Sequence, residues 1–253
     1  MMRHIALLVT LAVGLAGCES QAVREEKAVN AILKLGGKVT RDEKLPGRSV
    51  IYVYLYGTKF TDSDLKDLKE FERLRELCID GTQITDAGLK DLKELKSLHA
   101  LGLGNNQITD AGLKNLKALQ GLKSLVLYDT EVTDAGLKDL KELKGLERLD
   151  LSDTKITDAG MKDLKELKGL ETLNLSDTKI TDAGLKDLKE LKDLKTLYLF
   201  NTHITDAGLK DLKELKGLQW LSLEGTQITD TAMKDLRKAL PNTKINGRKG
   251  TDR

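Results

Sequence analysis

Residues 178–201 read TKITDAGLKDLKELKDLKTLYLFN. Leu197 and Leu199 alternate with Tyr198 and Phe200, which sets the leucines on one face of a strand and the rings on the other. Upstream, in TDAGLKDLKELK, leucines fall at every third position, a spacing that suits a short helix of two to three turns lying on a core, with lysines and acids facing water. In the following unit Thr205 or Asp206 caps that helix, its oxygen accepting from a free amide of the first turn. A unit offers about seven apolar positions, such as Ile204, Leu209, Leu212, Leu215, Leu218, Leu221 and Leu223. Each is worth ~1.5–3 kcal/mol when buried, but only if neighbouring units close the core around it.

Such neighbours exist. Thr58, Thr82, Asn106, Thr130, Thr154, Thr178, Thr202 and Thr226 stand 24 residues apart without an insertion, each followed three residues later by Thr-Asp. Fixed self-similarity of this kind means a repeat architecture. The form L-x-x-L-x-L-x-x-T/N and the 24-residue period closely resemble the leucine-rich repeat family, over about 190 residues. The expected fold is α/β: a curved right-handed solenoid with a parallel sheet on its concave face and short helices on its convex face. Nine strands ~4.8 Å apart make a surface roughly 40 Å long. The solenoid is expected over residues 50–247, closed by ALPNTKINGRKGTDR with Ile245 as the last core residue and 248–253 as a basic tail.

The opening of the chain follows a different plan. MMRHIALLVTLAVGLAGC has Arg3 near its start, an apolar run from Ile5 to Ala16 and small residues before Cys18. That is the layout of a secretory signal, and the run is shorter than the ~20 apolar residues a membrane span needs. Leu15-Ala16-Gly17-Cys18 resembles the lipobox of bacterial lipoproteins, which implies a signal peptide at 1–17, lipidation of Cys18, and a protein held in the cell envelope after export. Residues 18–25 are expected to form a tether. Residues 26–49 are expected to cap the solenoid, with Val29, Ile32, Leu33 and Leu35 on one side of a helix that stops at Gly36-Gly37, followed by a strand and a turn at Pro46-Gly47.

Composition excludes several functions. Forty-two lysines and arginines nearly balance 40 acids, and they are interspersed, so no electrostatic footprint for nucleic acid is present. Two cysteines make neither a disulfide framework nor a four-cysteine zinc site. Catalysis has no constellation: beyond the leader only His99 and His203 remain, and Cys78, on the concave face by register, has no basic neighbour to activate it. The reading is therefore of a non-enzymatic protein with no cofactor and no metal. Asp129, Asp153 and Asp177 hold one equivalent position in three consecutive units and read as turn formers. A divalent ion or a basic partner on that row is the competing reading.

Counted from the first leucine of L-x-x-L-x-L, positions 3, 5 and 7 face concave solvent. They hold Tyr52, Tyr54, Tyr56, Tyr128, Tyr198, Phe200 and Trp220, seven of the nine aromatics. Phe60 and Phe71 replace core residues. The middle strands carry Arg148, Asp150, Ser152, Thr172, Asn174 and Ser176 instead. Rings at two ends of a polar floor look like recognition surface, since aromatics dominate interface energetics. Tyr198, Phe200 and Trp220 are expected to meet as the main hot spot, with Tyr128, Arg148 and Asp150 orienting the ligand. Resemblance to leucine-rich repeat proteins implies a protein or peptide ligand; a glycan stacked on the tyrosines and the tryptophan is the alternative. The ITDAGL segments are also similar to eukaryotic F-box leucine-rich proteins, but the F-box and repeat cysteines are missing. Bacterial lipoproteins like those of planctomycetes are a nearer resemblance. Replacing Cys18 by Ser is expected to release the protein from the membrane fraction; a variant that still partitions into detergent with the membranes would contradict the anchor.

Overall fold

The computed structural model describes residues 19–44 and 49–247. The expected signal peptide, Cys18, the expected turn at Pro46-Gly47 and the basic tail lie outside them. Ten strands stand side by side in chain order: β1 (Lys38–Arg41), β2 (Val50–Tyr54), β3 (Glu76–Cys78), β4 (Ala100–Gly102), β5 (Ser124–Val126), β6 (Arg148–Asp150), β7 (Thr172–Asn174), β8 (Thr196–Tyr198), β9 (Trp220–Ser222) and β10 (Lys244–Asn246). β1 pairs antiparallel with β2, and β2 to β10 are parallel, each shifted from the last by one 24-residue unit. The solenoid and its concave sheet are as expected. A helix, α1 (Gln21–Lys34), packs Ala28, Val29 and Ile32 on the first unit. It starts earlier than the sequence pattern implied, so residues 21–25 belong to the cap and not to a tether. Gln21 Nε2 donates to the Glu70 carbonyl at 2.7 Å and Arg24 pairs with Glu70 at 2.9 Å. Leu33, expected on the core side, is 53% exposed.

Leucines every three residues do not build a long, uniform α-helix. Three units fold as one α-turn followed by a 3-10 stretch, as in Asp86–Leu89 and Lys90–Glu94, where three residues per turn stacks Leu89, Leu92 and Leu95 on one line. Two others place the 3-10 turn first, as in Asp158–Gly160 before Met161–Leu164, and Asp134–Leu140 is α-helical throughout. Leu89, Leu92 and Leu95 are buried, as are Leu98, Leu101 and Leu103 of the same unit and Phe60 and Phe71 of the first. At the far end a ten-residue helix, Asp230–Ala239, closes the core with Met233 and Leu236. The exposed apolar end of a solenoid requires such a cover.

The convex turns are tied to one another by a carboxylate ladder. The threonine of each Thr-Asp pair caps its own helix, as when Thr85 Oγ1 accepts from Ala87 N at 3.2 Å. The aspartate instead reaches the next unit. Asp62 accepts from Thr85 N and Thr85 Oγ1 at 2.9 and 2.6 Å, and the pattern runs through Asp86–Thr109, Asp110–Thr133, Asp134–Thr157, Asp158–Thr181, Asp182–Thr205 and Asp206–Thr229. Each aspartate from Asp62 to Asp182 lies against the glycine of the unit it reaches; in the last unit, reached by Asp206, that position is Ala232. A Cβ at Gly136, Gly160 or Gly184 would sit 2.5 Å from the carboxylate oxygen. The first unit has no preceding aspartate, and there Asp64 occupies the glycine's position and accepts from Thr61 N and Oγ1 at 2.8 and 2.7 Å.

The ladder predicts a specific coupling. Asp110→Ala leaves two donors of Thr133 without their acceptor, and Gly136→Ala overlaps Asp110; each should cost ~1–3 kcal/mol. The double variant should cost clearly less than the sum, because removing the carboxylate makes room for the methyl. Additive losses in chemical denaturation would show that the two groups do not share that space.

Candidate functional site

The concave face is a grid of three columns, at positions 3, 5 and 7 of each strand. Its rows begin with Tyr52, Tyr54 and Tyr56, then Glu76, Cys78 and Asp80, then Ala100, Gly102 and Gly104. Register sets Tyr52 beside Glu76 and Tyr54 beside Cys78. The Tyr52 and Tyr54 rings are 6.5 Å apart and tilted by 57°, and Tyr54 Oη donates to Glu76 Oε2 at 3.3 Å. Burial and the adjacent Glu76 carboxylate raise the Tyr54 phenol, so it remains a neutral donor. Tyr56 is the most open of these rings, at 68% exposure.

The third row is bare of side chains for a reason. Asp80 is buried and accepts from Gly104 N at 2.6 Å, and its carboxylate takes the space that a Cβ on Gly102 would need. The ring of Tyr128 lies over Gly104 in the same way. Tyr128 therefore leans toward Asp80 and Tyr56. Burial first, then the Asp80 charge and the Tyr56 phenol, push its pKa up to about 12. Tyr128 belongs to the N-terminal aromatic group, and the two glycines were the sequence signal that a neighbouring ring and carboxylate cover them. Cys78 Sγ donates to Asp80 Oδ2 at 2.8 Å. Burial, with that hydrogen bond and charge, pushes the thiol up to about 12, far from an activated nucleophile.

The middle of the sheet holds a shallow hollow of about 190 Å³ lined by Ser124, Val126, Arg148, Asp150, Thr172, Asn174 and Tyr198. Here three residues singled out from the sequence, Arg148, Asp150 and Tyr198, come together. Asp150 Oδ1 accepts from Ser152 N and Oγ at 2.9 and 2.7 Å, and Asn174 Oδ1 accepts from Ser176 N at 3.0 Å, so both side chains are held by their own strand. Arg148 is exposed.

The expected trio at the C-terminal end is divided. Trp220 lies across from Thr196, not Tyr198, and Lys244 of β10 sets its ammonium 4.8 Å from the centre of the indole. Phe200 is 41% exposed. Tyr52–Tyr54 is the one ring pair in contact among the described residues. Trp220 is thus partly covered by its own chain, because the register places a lysine on the strand that follows it.

The row of Asp129, Asp153 and Asp177 has a backbone explanation. These residues have φ of 50°, 52° and 57°, and the same position holds Gly57, Gly81, Asn105, Asn201 and Gly225, all with positive φ. Glycine, asparagine and aspartate are the residues that tolerate this left-handed turn. No group of three or more metal-ligating side chains occurs among the described residues.

Nine parallel strands in 24-residue steps, short helices opposite them and a continuous leucine core are all on view. Leucine-rich repeat models match residues 94–117 and 144–204. The fold is a leucine-rich repeat solenoid. Among solved structures, internalin C2 of Listeria monocytogenes is similar with a TM-score of 0.65 at 24% identity, over 94% of this chain and all of that one. An internalin from the same organism, inlF, is similar with a TM-score of 0.55 at 20% identity, over 90% of this chain and 76% of that one. At such identities the likeness speaks to the fold. No curated protein matches the chain.

The solenoid's thiol gives a pH test. A pKa of about 12 keeps Cys78 protonated at pH 8. Its alkylation in the folded protein should be slower than in denaturant, where an ordinary thiol titrates near ~8.5, by on the order of a thousandfold. Asp80→Asn should speed it, since the neighbouring charge is gone. Mass spectrometry of the Cys78 peptide reads the rate, and equal rates folded and unfolded would refute the assigned environment.

Proposed function

We propose that this protein is an envelope-anchored interaction module, exported and lipidated at Cys18, that binds a protein or peptide on its concave face. One observation carries the binding reading: the repeats are nearly identical on their convex side and differ on their concave side. Outside, each unit presents the same Thr-Asp cap, and one lysine–acid pair recurs in three consecutive steps, Lys117–Asp139, Lys141–Asp163 and Lys165–Asp187. Inside, the columns run through tyrosine, glutamate, glycine, arginine, asparagine, phenylalanine and tryptophan. A lattice that repeats holds no address; a surface that changes at each step can. Nine strands ~4.8 Å apart give a face roughly 40 Å long, enough for the ~800 Å² per partner of an ordinary interface. Leucine-rich repeats as a class support a protein partner over a small substrate, and a half-buried thiol held protonated favours binding over chemistry.

The anchor reading rests on Leu15-Ala16-Gly17-Cys18. Since α1 begins three residues beyond Cys18 and is fastened to Glu70, a lipid there would hold the capped end of the solenoid close to the membrane surface.

Tyr198→Ser, Phe200→Ser and Arg148→Ser together should reduce capture of the partner from envelope extract by the equivalent of ~2 kcal/mol or more, as loss of interface anchors does. Lys186→Ser on the convex face should have no effect, and the melting temperature should hold in both. Retained material is expected to be destroyed by protease and unaffected by glycosidase. Glycosidase sensitivity would favour the glycan reading, and capture indifferent to the concave changes would refute a concave site.

A further inference from the structure

The concave face is unevenly charged. Over the rows led by β2, β3, β4 and β5, positions 3, 5 and 7 carry four tyrosines, two carboxylates and no lysine, arginine or histidine. Of the two carboxylates, Asp80 is spent on Gly104 N and the Cys78 thiol. Glu76 is half-buried, with the Tyr54 hydroxyl as its hydrogen-bond donor. Beside it lies the tilted Tyr52–Tyr54 pair, with Tyr52 directly across from it in register. The sheet elsewhere shows what such rings attract: at Trp220 the chain seats its own Lys244 ammonium on the aromatic face. No lysine or arginine sits over the N-terminal tyrosines in this way among the described residues. Ring faces favour a cation because of their quadrupole, and a carboxylate alongside supplies the opposite charge.

Resting on the concave-face reading above, we propose that Tyr52, Tyr54 and Glu76 form the seat for a lysine or arginine side chain of the bound protein or peptide segment. Glu76 pairs with the cation, and the tyrosine rings pack on its aliphatic stem and head. Lys38 bears on this seat. It lies opposite Tyr54 on the antiparallel strand β1, is exposed, and is the cation nearest in register to these rings. It repels an incoming cation, so its removal should strengthen binding while losses at the seat weaken it. That pair of opposite signs separates a cation seat from a generally sticky patch.

A display library of random dodecapeptides selected on the purified full chain supplies the probe. The selected peptides should be enriched in lysine or arginine, and norleucine in place of that residue should weaken them about tenfold. Glu76→Gln and Tyr54→Leu should each weaken them similarly, Lys38→Gln should tighten them, and Phe200→Ser should matter less, at unchanged melting temperature. Peptides enriched in acids, or basic ones indifferent to Glu76→Gln and Tyr54→Leu but sensitive to Arg148→Ser or Phe200→Ser, would overturn the seat and leave the concave reading standing. An empty selection, or binders that no concave substitution affects, would overturn both.

Discussion

One carboxylate in each repeat, accepting two hydrogen bonds from the threonine of the next, sets the stacking on which everything else rests. Each pair in the ladder is short, at 2.8 Å from Thr133 N and 2.7 Å from Thr133 Oγ1 to Asp110, and each uses a charged acceptor. The leucines alone would tolerate sliding, because an apolar contact has no preferred register. A bidentate acceptor tolerates very little. The glycine that makes room for it brings the backbones close, and the threonine it holds is the same residue that caps the helix. Four residues, Thr-Asp-Ala-Gly, thereby do the work of a helix cap, an inter-repeat clamp and a spacer.

That clamp explains the division of labour between the two faces. The convex side must repeat, since an inner unit that lost its aspartate or gained a side chain at glycine would disturb contact with a neighbour; only the last unit, with its longer helix, carries Ala232 there and keeps the Asp206–Thr229 bonds. The concave side has no such duty. Its side chains stand above a sheet whose hydrogen bonds and leucines are already complete, so tyrosine, glycine or arginine can occupy a position without disturbing the stack. The ends differ because the chain there lacks a neighbour: Asp64 replaces the missing carboxylate at one end, while α1 and the helix Asp230–Ala239 cover the leucines.

Much of the architecture was legible because its signals are local and repeated. Leucine at every third position, strand alternation and an unbroken 24-residue period left one arrangement open. What period alone misassigned was fine detail. Asp206 is a natural helix cap by type, yet it points to Thr229, because Thr205 already serves its own helix. A helix starting at Gln21 was hidden by its polar first turns, whose purpose is to bind Glu70 rather than a leucine core.

The candidate site divides along the same line. From the residues alone it follows that Tyr54, Tyr56, Arg148, Asp150, Tyr198 and Phe200 stand on the concave face, since strand parity decides the face and repetition fixes parity. Which of them meet was decided by register between strands. Trp220 was expected beside Tyr198 but stands across from Thr196 and under Lys244, and Tyr128 lies over Gly104 instead of joining Arg148. A period places each side chain in its row; the partners it finds depend on the size and charge of residues 24 positions away, and those contacts exist only once the strands are stacked.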